Sequence, residues 1–259
     1  MEEKKTGGFK IKILAVFIAV LTLIACCVIL KNTGAYSVYT LATKNRDLPI
    51  YCVGEKENEI AISFDCAWGV DYTDKILDTL DFYKVKCTFF ATQFWVEKYP
   101  DYVKKISERG HEIGTHSRTH SYMSKMGEGE IVDELKTSSS AIEKITGKKV
   151  SLFRPPYGDY DDLLVVTARG MGLHTIQWDV DSLDWKDLSA EQIANRVIKK
   201  VKAGSIILCH NNGLHTADAL PLIFTDLLQK GYVFQPIGEL IYKNDYRVDV
   251  SGRQFPNEI

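Results

Sequence analysis

From about residue 60 onward, short apolar runs alternate with stretches whose apolar residues recur three and four positions apart. The first run, Glu59-Ile60-Ala61-Ile62-Ser63-Phe64, suits a β-strand, and Asp74 to Tyr83 then carries Ile76, Leu77, Leu80 and Tyr83 at helical spacing. Further strands are predicted at Val85–Ala91, His111–Thr115, Val150–Phe153, Leu173–Trp178, Ser205–Cys209 and Tyr232–Gln235. The helical stretches ending near Thr146, Arg169, Ala203 and Lys230 are each followed by glycine, at Gly147, Gly170, Gly204 and Gly231. Glycine there takes the left-handed cap conformation at the least steric cost. Ser189-Ala190-Glu191-Gln192 has the form of a capping box opening a Ser189–Lys202 helix. Seven strands alternating with helices predict an α/β fold with an all-parallel sheet, closed as a barrel or open and doubly wound. No glycine-rich phosphate loop follows the first strand, which argues against a nucleotide-binding open sheet.

The pattern changes ahead of the fold. Ile13 to Leu30 is 18 residues without a charge, entered through Lys10 and Lys12 and left through Lys31. This length predicts a transmembrane anchor, with 1–12 as a cytoplasmic tail and the rest of the chain outside. The alternative is a cleaved signal peptide, since Thr33-Gly34-Ala35 offers small residues after the run, leaving a secreted protein. Residues 31–57 read as a stalk, 58–242 as one domain and 243–259 as a polar tail. A net charge of −2 over 259 residues gives no nucleic-acid footprint. Of six cysteines, Cys26 and Cys27 lie in the apolar run, and Cys52, Cys66, Cys87 and Cys209 show no paired spacing. Cys87 and Cys209 read as small apolar strand residues. Nothing in the sequence bears on oligomeric state.

The reactive residues gather just after the strands: Asp65 and Cys66, His116 and His120, Arg154-Pro155-Pro156-Tyr157-Gly158, then Asp179, Asp181, Asp184 and Trp185, and finally His210. That is the face where barrel enzymes keep their chemistry. His116 and His120, at i and i+4, can share one divalent metal if the segment turns helically. Two imidazoles usually take a carboxylate or thiolate as third ligand and leave a place for water, which then needs a base. Asp65 is placed for the base. His210 can protonate a leaving group, and Asp181 can hold that imidazole in its tautomer.

Phe64-Asp65, His116-Ser117-Arg118-Thr119-His120, Arg154-Pro155-Pro156-Tyr157-Gly158, Asp181-Ser182-Leu183-Asp184-Trp185 and Ile207-Leu208-Cys209-His210 occur in that order. Together they resemble the five motifs of the polysaccharide deacetylases (carbohydrate esterase family 4, the NodB homology domain) over about residues 58–242. With the amino-terminal anchor and Phe-Asp-Cys-Ala-Trp-Gly, the chain looks most like the PdaB-like deacetylases of spore formers. The resemblance implies a distorted (β/α)7–8 barrel that removes acetyl groups from N-acetylated cell-wall glycan. It implies a divalent metal on His116 and His120, most readily zinc, with cobalt or nickel as other choices. It makes Asp65 the base, His210 the acid, Arg154 the residue orienting the base and Asp181 the one tuning the histidine. It gives the Tyr157 N–H to the oxyanion and Trp185 to the wall of the acetate pocket.

Cys66 departs from the family's first motif, where a second acid ligates the metal. Three readings stay open. Cys66 ligates as a thiolate; or Asp65 moves onto the metal and leaves no dedicated base; or the metal is weak or absent, and the domain binds glycan or supports spore wall assembly without hydrolysis.

Overall fold

The computed structural model describes residues 46–257. The expected anchor at 13–30, the cytoplasmic tail before it and the first part of the stalk lie outside these residues. Among the described residues no helix is long and apolar enough to cross a membrane.

The strands are β1 (Cys52–Val53), β2 (Glu59–Cys66), β3 (Thr88–Ala91), β4 (Glu112–Thr115), β5 (Leu152–Phe153), β6 (His174–Thr175), β7 (Val180–Asp181), β8 (Ile206–His210), β9 (Val233–Phe234), β10 (Tyr246–Val248) and β11 (Arg253–Pro256). The helices are α1 (Thr73–Phe82), α2 (Gln93–Lys98), α3 (Pro100–Glu108), α4 (Glu128–Thr146), α5 (Asp162–Gly170), α6 (Ala190–Lys200), α7 (Thr216–Gln229) and α8 (Ile237–Leu240). The main sheet runs β6-β5-β4-β3-β2-β8-β7, with β9 paired to the start of β2. Every pairing in it is parallel. No ladder joins β6 to β7, so the sheet is a half-barrel of parallel strands, not a closed ring.

Side chains alternate across each strand. Ile60, Ile62, Phe64 and Cys66 of β2 pack with Leu77, Ile131 and Leu220 in the core between sheet and helices. Ala61 packs on the inner side with Phe90, Leu152 and Ile206, and Ser63 and Asp65 share its face by the same alternation. This two-residue period determines what can reach the site. Cys87 and Cys209 are fully buried in the outer core, as small apolar residues should be.

The helix signals differ in detail from their sequence reading. The Ser189/Gln192 capping box forms, and Gly147 ends α4 at φ 66°. Gly170, however, lies within α5, and it is Gly172 that takes the left-handed conformation, at φ 77°. The predicted Leu173–Trp178 strand shortens to β6, because Gln177 donates its N–H to Ile50 and gives its carbonyl to Arg154.

The domain is also larger than residues 58–242, since the compact unit begins at Asp47. β11 pairs with β1 in parallel and with β10 antiparallel, so the end of the expected stalk and the expected tail form a small sheet. That sheet meets the start of β8 through Val53 N–H to Gly204 O. It therefore lies at the end of the barrel opposite the carboxyl ends of the strands.

His111, beside the start of β4, is also away from those carboxyl ends. It is 2% exposed, against Cys87 Sγ at 3.5 Å from Nδ1 and edge-on to Phe89. Burial, then the Lys86 charge, pushes its imidazole from 6.5 down to about 4. The unfolded imidazole binds a proton below 6.5 and the folded one does not, so folded stability falls as pH drops from 6.5 toward 4. The expected loss is about 3 kcal/mol. Urea midpoints followed against pH check this, and His111→Gln should flatten that part of the curve.

Candidate active site

Asp65 and His210 are register partners on the neighbouring parallel strands β2 and β8, so their side chains leave the sheet on the same side. Asp65 is 6% exposed and accepts a 2.8 Å hydrogen bond on Oδ1 from Arg154 Nη1. Arg154, fully buried after β5, also donates to Ser63 Oγ and to the Gln177 carbonyl and lies over the Phe90 ring at 4.2 Å. Burial alone would raise the Asp65 carboxyl. Arg154, then His116 and His210, outweigh it and hold the group below its ordinary value. Asp65 is therefore ionised at neutral pH.

His116 follows β4, and its Nδ1 is 2.8 Å from the Arg154 carbonyl. A carbonyl can only accept, so Nδ1 carries the proton and Nε2 presents a lone pair. That Nε2 is 3.5 Å from Asp65 Oδ2. The His120 ring stands edge-on to His116 at 4.9 Å, and its buried Nδ1 has no hydrogen-bond partner. Burial, then His116, lowers His120 to about 4, while burial lowers His116 despite Asp65. Both imidazoles are neutral at pH 7, the form a metal requires.

The segment between them is not a helix. Ser117 and His120 adopt positive φ, and buried Glu134 of α4 holds the loop by accepting from Arg118 N, Thr119 N and Thr119 Oγ1. The i, i+4 spacing pointed to the pair by way of the wrong backbone geometry. Glu134 was not legible as a site residue, because it reads as one polar position on a helix.

On the far side, His210 Nδ1 is 2.8 Å from Asp184 Oδ1. Asp184 Oδ2 also accepts from His210 N and Thr216 Oγ1. The carboxylate on the acid histidine is therefore Asp184, not Asp181 as expected. Asp181 Oδ1 instead accepts the Leu183 N–H and shapes the turn. Leu183 and Asp187 take positive φ around the short Asp184–Lys186 turn, which brings the later acid inward. Burial pulls His210 down, but the Asp184 hydrogen bond and charge outweigh it and raise the imidazole above its ordinary value.

Cys66 is corrected most clearly. Its side chain is fully buried with Phe64 in the outer core, and its Sγ faces the Phe64 carbonyl at 3.8 Å. Burial, then the Asp65 charge, pushes the thiol well above its ordinary value, so it stays protonated. It faces away from His116 because it is one residue past Asp65 on a strand. Tyr157 and Trp185 stand at the mouth, each 56% exposed, and Tyr157 takes φ 60°.

Whether a divalent metal suits these residues turns on their free donors. His116 Nε2 is open, its Nδ1–H is tied to a carbonyl as metal-binding histidines usually are, and His120 has an orphaned nitrogen beside it. The 3.5 Å from His116 Nε2 to Asp65 Oδ2 suits two neighbouring ligands, each about 2.0–2.1 Å from one tetrahedral zinc. The residues fit a cation on His116 and His120 with Asp65 as the available third donor. As the side chains stand, no three His, Cys, Asp or Glu among the described residues form a finished ligand set. Cys66→Ala is expected to keep wild-type metal content after dialysis, whereas His116→Ala lowers affinity at least tenfold. Elemental analysis decides, and metal loss in Cys66→Ala would restore the thiolate ligand.

A half-barrel of parallel strands with a carboxylate–arginine pair, two neutral imidazoles and an acid–histidine pair at one mouth is the layout of a hydrolase. The polysaccharide deacetylase family model matches residues 53–176. The chain is 36% identical to a peptidoglycan-N-acetylglucosamine deacetylase of Bacillus cereus, over 74% of this chain and 92% of that protein. It is 33% identical to the peptidoglycan-N-acetylmuramic acid deacetylase PdaA of Bacillus subtilis, over 76% and 77%. It spans 60% of the length of Bacillus subtilis YlxY, at 34% identity. Among solved structures it is similar to BA3943, a CE4-family pseudoenzyme of Bacillus anthracis, with TM-score 0.72, 34% identity and coverage of 80% of this chain and 72% of that one. The chain belongs to the polysaccharide deacetylase family.

Proposed function

We propose that the chain removes N-acetyl groups from cell-wall glycan outside a membrane to which residues 13–30 anchor it. The observation that carries this is the pairing of an ionised Asp65 with a raised His210 on adjacent strands, each held by its own buried partner.

In this reading Asp65 Oδ2 is kept for the proton and not for the cation. A water attacks the acetyl carbon while Oδ2 accepts its proton, and Arg154 on Oδ1 keeps that carboxylate ionised and fixed in direction. As the amide C–N bond breaks, His210 gives its Nε2 proton to the sugar nitrogen, leaving acetate and an amine. Asp184 holds His210 with Nδ1–H toward itself, so that Nε2 faces the leaving group. The Tyr157 N–H and Trp185 take the oxyanion and the acetyl methyl, the roles the family resemblance assigns them. Lewis-acid polarisation of the acetyl oxygen is what a divalent cation on His116 and His120 supplies when bound, zinc first and cobalt or nickel as substitutes. The test is acetate release from peptidoglycan fragments and chitooligosaccharides by the full-length chain loaded with each metal in turn. No release with any of them, while the Bacillus cereus relative is active, would sink hydrolysis.

A second reading rests on Cys66. With that side chain in the core, Asp65 is, among the described residues, the only carboxylate paired with the imidazoles, and a bound cation would compete with the proton for it. A chain that binds glycan as well without metal as with it, and releases no acetate, is a glycan-binding member of the family.

A further inference from the structure

Gln177 is a polar residue in an apolar place. It stands just past β6, is 2% exposed, and lies beside Ile50 and Ile176 of the inner core. An amide buried there is costly unless it is bonded. Its Nε2 donates to the Gly158 carbonyl at 3.0 Å. A carbonyl can only accept, so the nitrogen end of the amide is the one that faces Gly158. The main chain of Gln177 is occupied as well: its N–H donates to the Ile50 carbonyl at 2.8 Å, and its own carbonyl accepts from Arg154 Nη2 at 3.2 Å.

The turn that Gln177 bonds is an unusual one. Tyr157 and Gly158 both take the left-handed conformation, at φ 60° and 67°. Tyrosine keeps it only where the surroundings over-determine the backbone. Glycine is required next to it, since a Cβ on Gly158 would stand 3.1 Å from Trp178 Cη2 and 3.3 Å from Gln177 Oε1. Within the turn, Gly158 N donates to the Pro155 carbonyl and Asp159 N to the Pro156 carbonyl. From outside it is held by Gln177 on Gly158, and by Ser124 N and Oγ on the two carboxylate oxygens of Asp159. One buried residue therefore touches both halves of the machinery. Its main chain meets the arginine behind the base, and its side chain meets the turn that carries the Tyr157 N–H.

We propose that Gln177 is a positioning residue for deacetylation, its side-chain amide fixing the direction in which the Tyr157 N–H meets the oxyanion. A donor helps the developing charge most when it is already aimed. A turn free to relax toward ordinary φ values loses that aim, and small misplacements are costly at a reacting centre. Gln177 reaches no reacting atom itself. Its two bonds can also be separated, because a substitution removes the side-chain donor and leaves the main-chain carbonyl on Arg154. The proposal rests on the deacetylase reading above.

Gln177→Met keeps the length and much of the volume of the side chain and leaves the Gly158 carbonyl without its donor. In the full-length, metal-loaded chain acting on the β-1,4-linked N-acetylglucosamine tetramer, kcat should fall about tenfold with KM within about twofold, the mark of an interaction made in the transition state. Both limbs of the pH profile should stay in place, because Asp65 and His210 keep their partners. Gln177→Glu, which keeps size and polarity, should show the same kcat loss at neutral pH. That loss should narrow toward low pH, as the carboxyl gains a proton to donate to Gly158. Hydrogen exchange read by mass spectrometry, with no metal or substrate present, follows the turn itself. Residues 154–160 should exchange about fivefold faster in Gln177→Met, the worth of one lost hydrogen bond, with β2 and β8 as protected as in wild type. If wild type releases acetate and both variants keep its kcat, the proposal is overturned and the deacetylase stands. A KM that rises as much as kcat falls, or faster exchange in β2 and β8 as well, overturns it too, since Gln177 then serves the fold at large. If wild type releases no acetate under any metal, faster exchange confined to 154–160 upholds Gln177 as the anchor of the turn while the deacetylase falls, and unchanged exchange overturns both.

Discussion

An Arg154→Met chain is expected to lose about 3–5 kcal/mol of folding stability, the usual cost of removing one partner from a buried ion pair. Arg154 is fully buried and Asp65 nearly so, and the 2.8 Å bond between them is the carboxylate's main compensation for leaving water. Methionine fills much of the volume but leaves Asp65 charged and unpaired, and also strips the donor from Ser63 Oγ and the Gln177 carbonyl. The wild-type contribution has a definite pH sign. The folded Asp65 carboxyl lies below its ordinary 3.8, so its stabilisation is present above that value and is lost as pH falls through the folded one. In Arg154→Met, burial dominates and pushes the carboxyl up, so acid should relieve part of the defect by protonating it. Urea unfolding of Arg154→Met, Asp65→Asn and the double variant measures the coupling. If the double variant is as unstable as the sum of the two single losses, the two groups are not energetically paired.

Asp184→Asn is expected to lower kcat/KM on an acetylated glycan by about 10²–10³-fold, within the range general acid–base groups contribute. The substitution removes the anion that does most to raise His210 and leaves burial opposed only by the charges of Asp65 and Asp181, so its pKa falls. An acid must be protonated to act, so activity falls as pH rises through the His210 value. Lowering that value moves the alkaline limb of the pH profile to lower pH. Asp181→Asn should move that limb less, because Asp181 acts on His210 only through its charge, behind Asp184 and Asp65, while its carboxylate bonds the Leu183 amide. Profiles of the two variants side by side decide between them. An unmoved limb in Asp184→Asn together with a shifted one in Asp181→Asn would return the role to Asp181.

The family resemblance and the strand–helix alternation were legible because both are written locally. Apolar periodicity marks strands and helices, and a reactive residue just past an apolar run must sit at a strand end. Asp65, His116, Arg154 and His210 were found that way, and the structure brings them to one mouth. Seven of the eight parallel strands were legible for the same reason; the two-residue β7 was not, being too short to show a period. Their failure to close was not, since closure depends on how β6 and β7 are held across the gap.

Other decisions belong to tertiary structure alone. A motif names several acids within four residues but does not say which reaches the imidazole, and here the left-handed Leu183 and Asp187 deliver Asp184 instead of Asp181. The 246–256 region looks like a tail because its strands bury little of their own, and pairing with β1 becomes visible only once the chain has folded back on itself. Phe64-Asp65-Cys66 shows the division most sharply. The sequence by itself placed an acid and a thiol together at the end of a strand. Only the sheet, with its two-residue alternation, turned Asp65 toward Arg154 and His116 and Cys66 into the core behind it, because neighbouring side chains on a strand must face opposite ways.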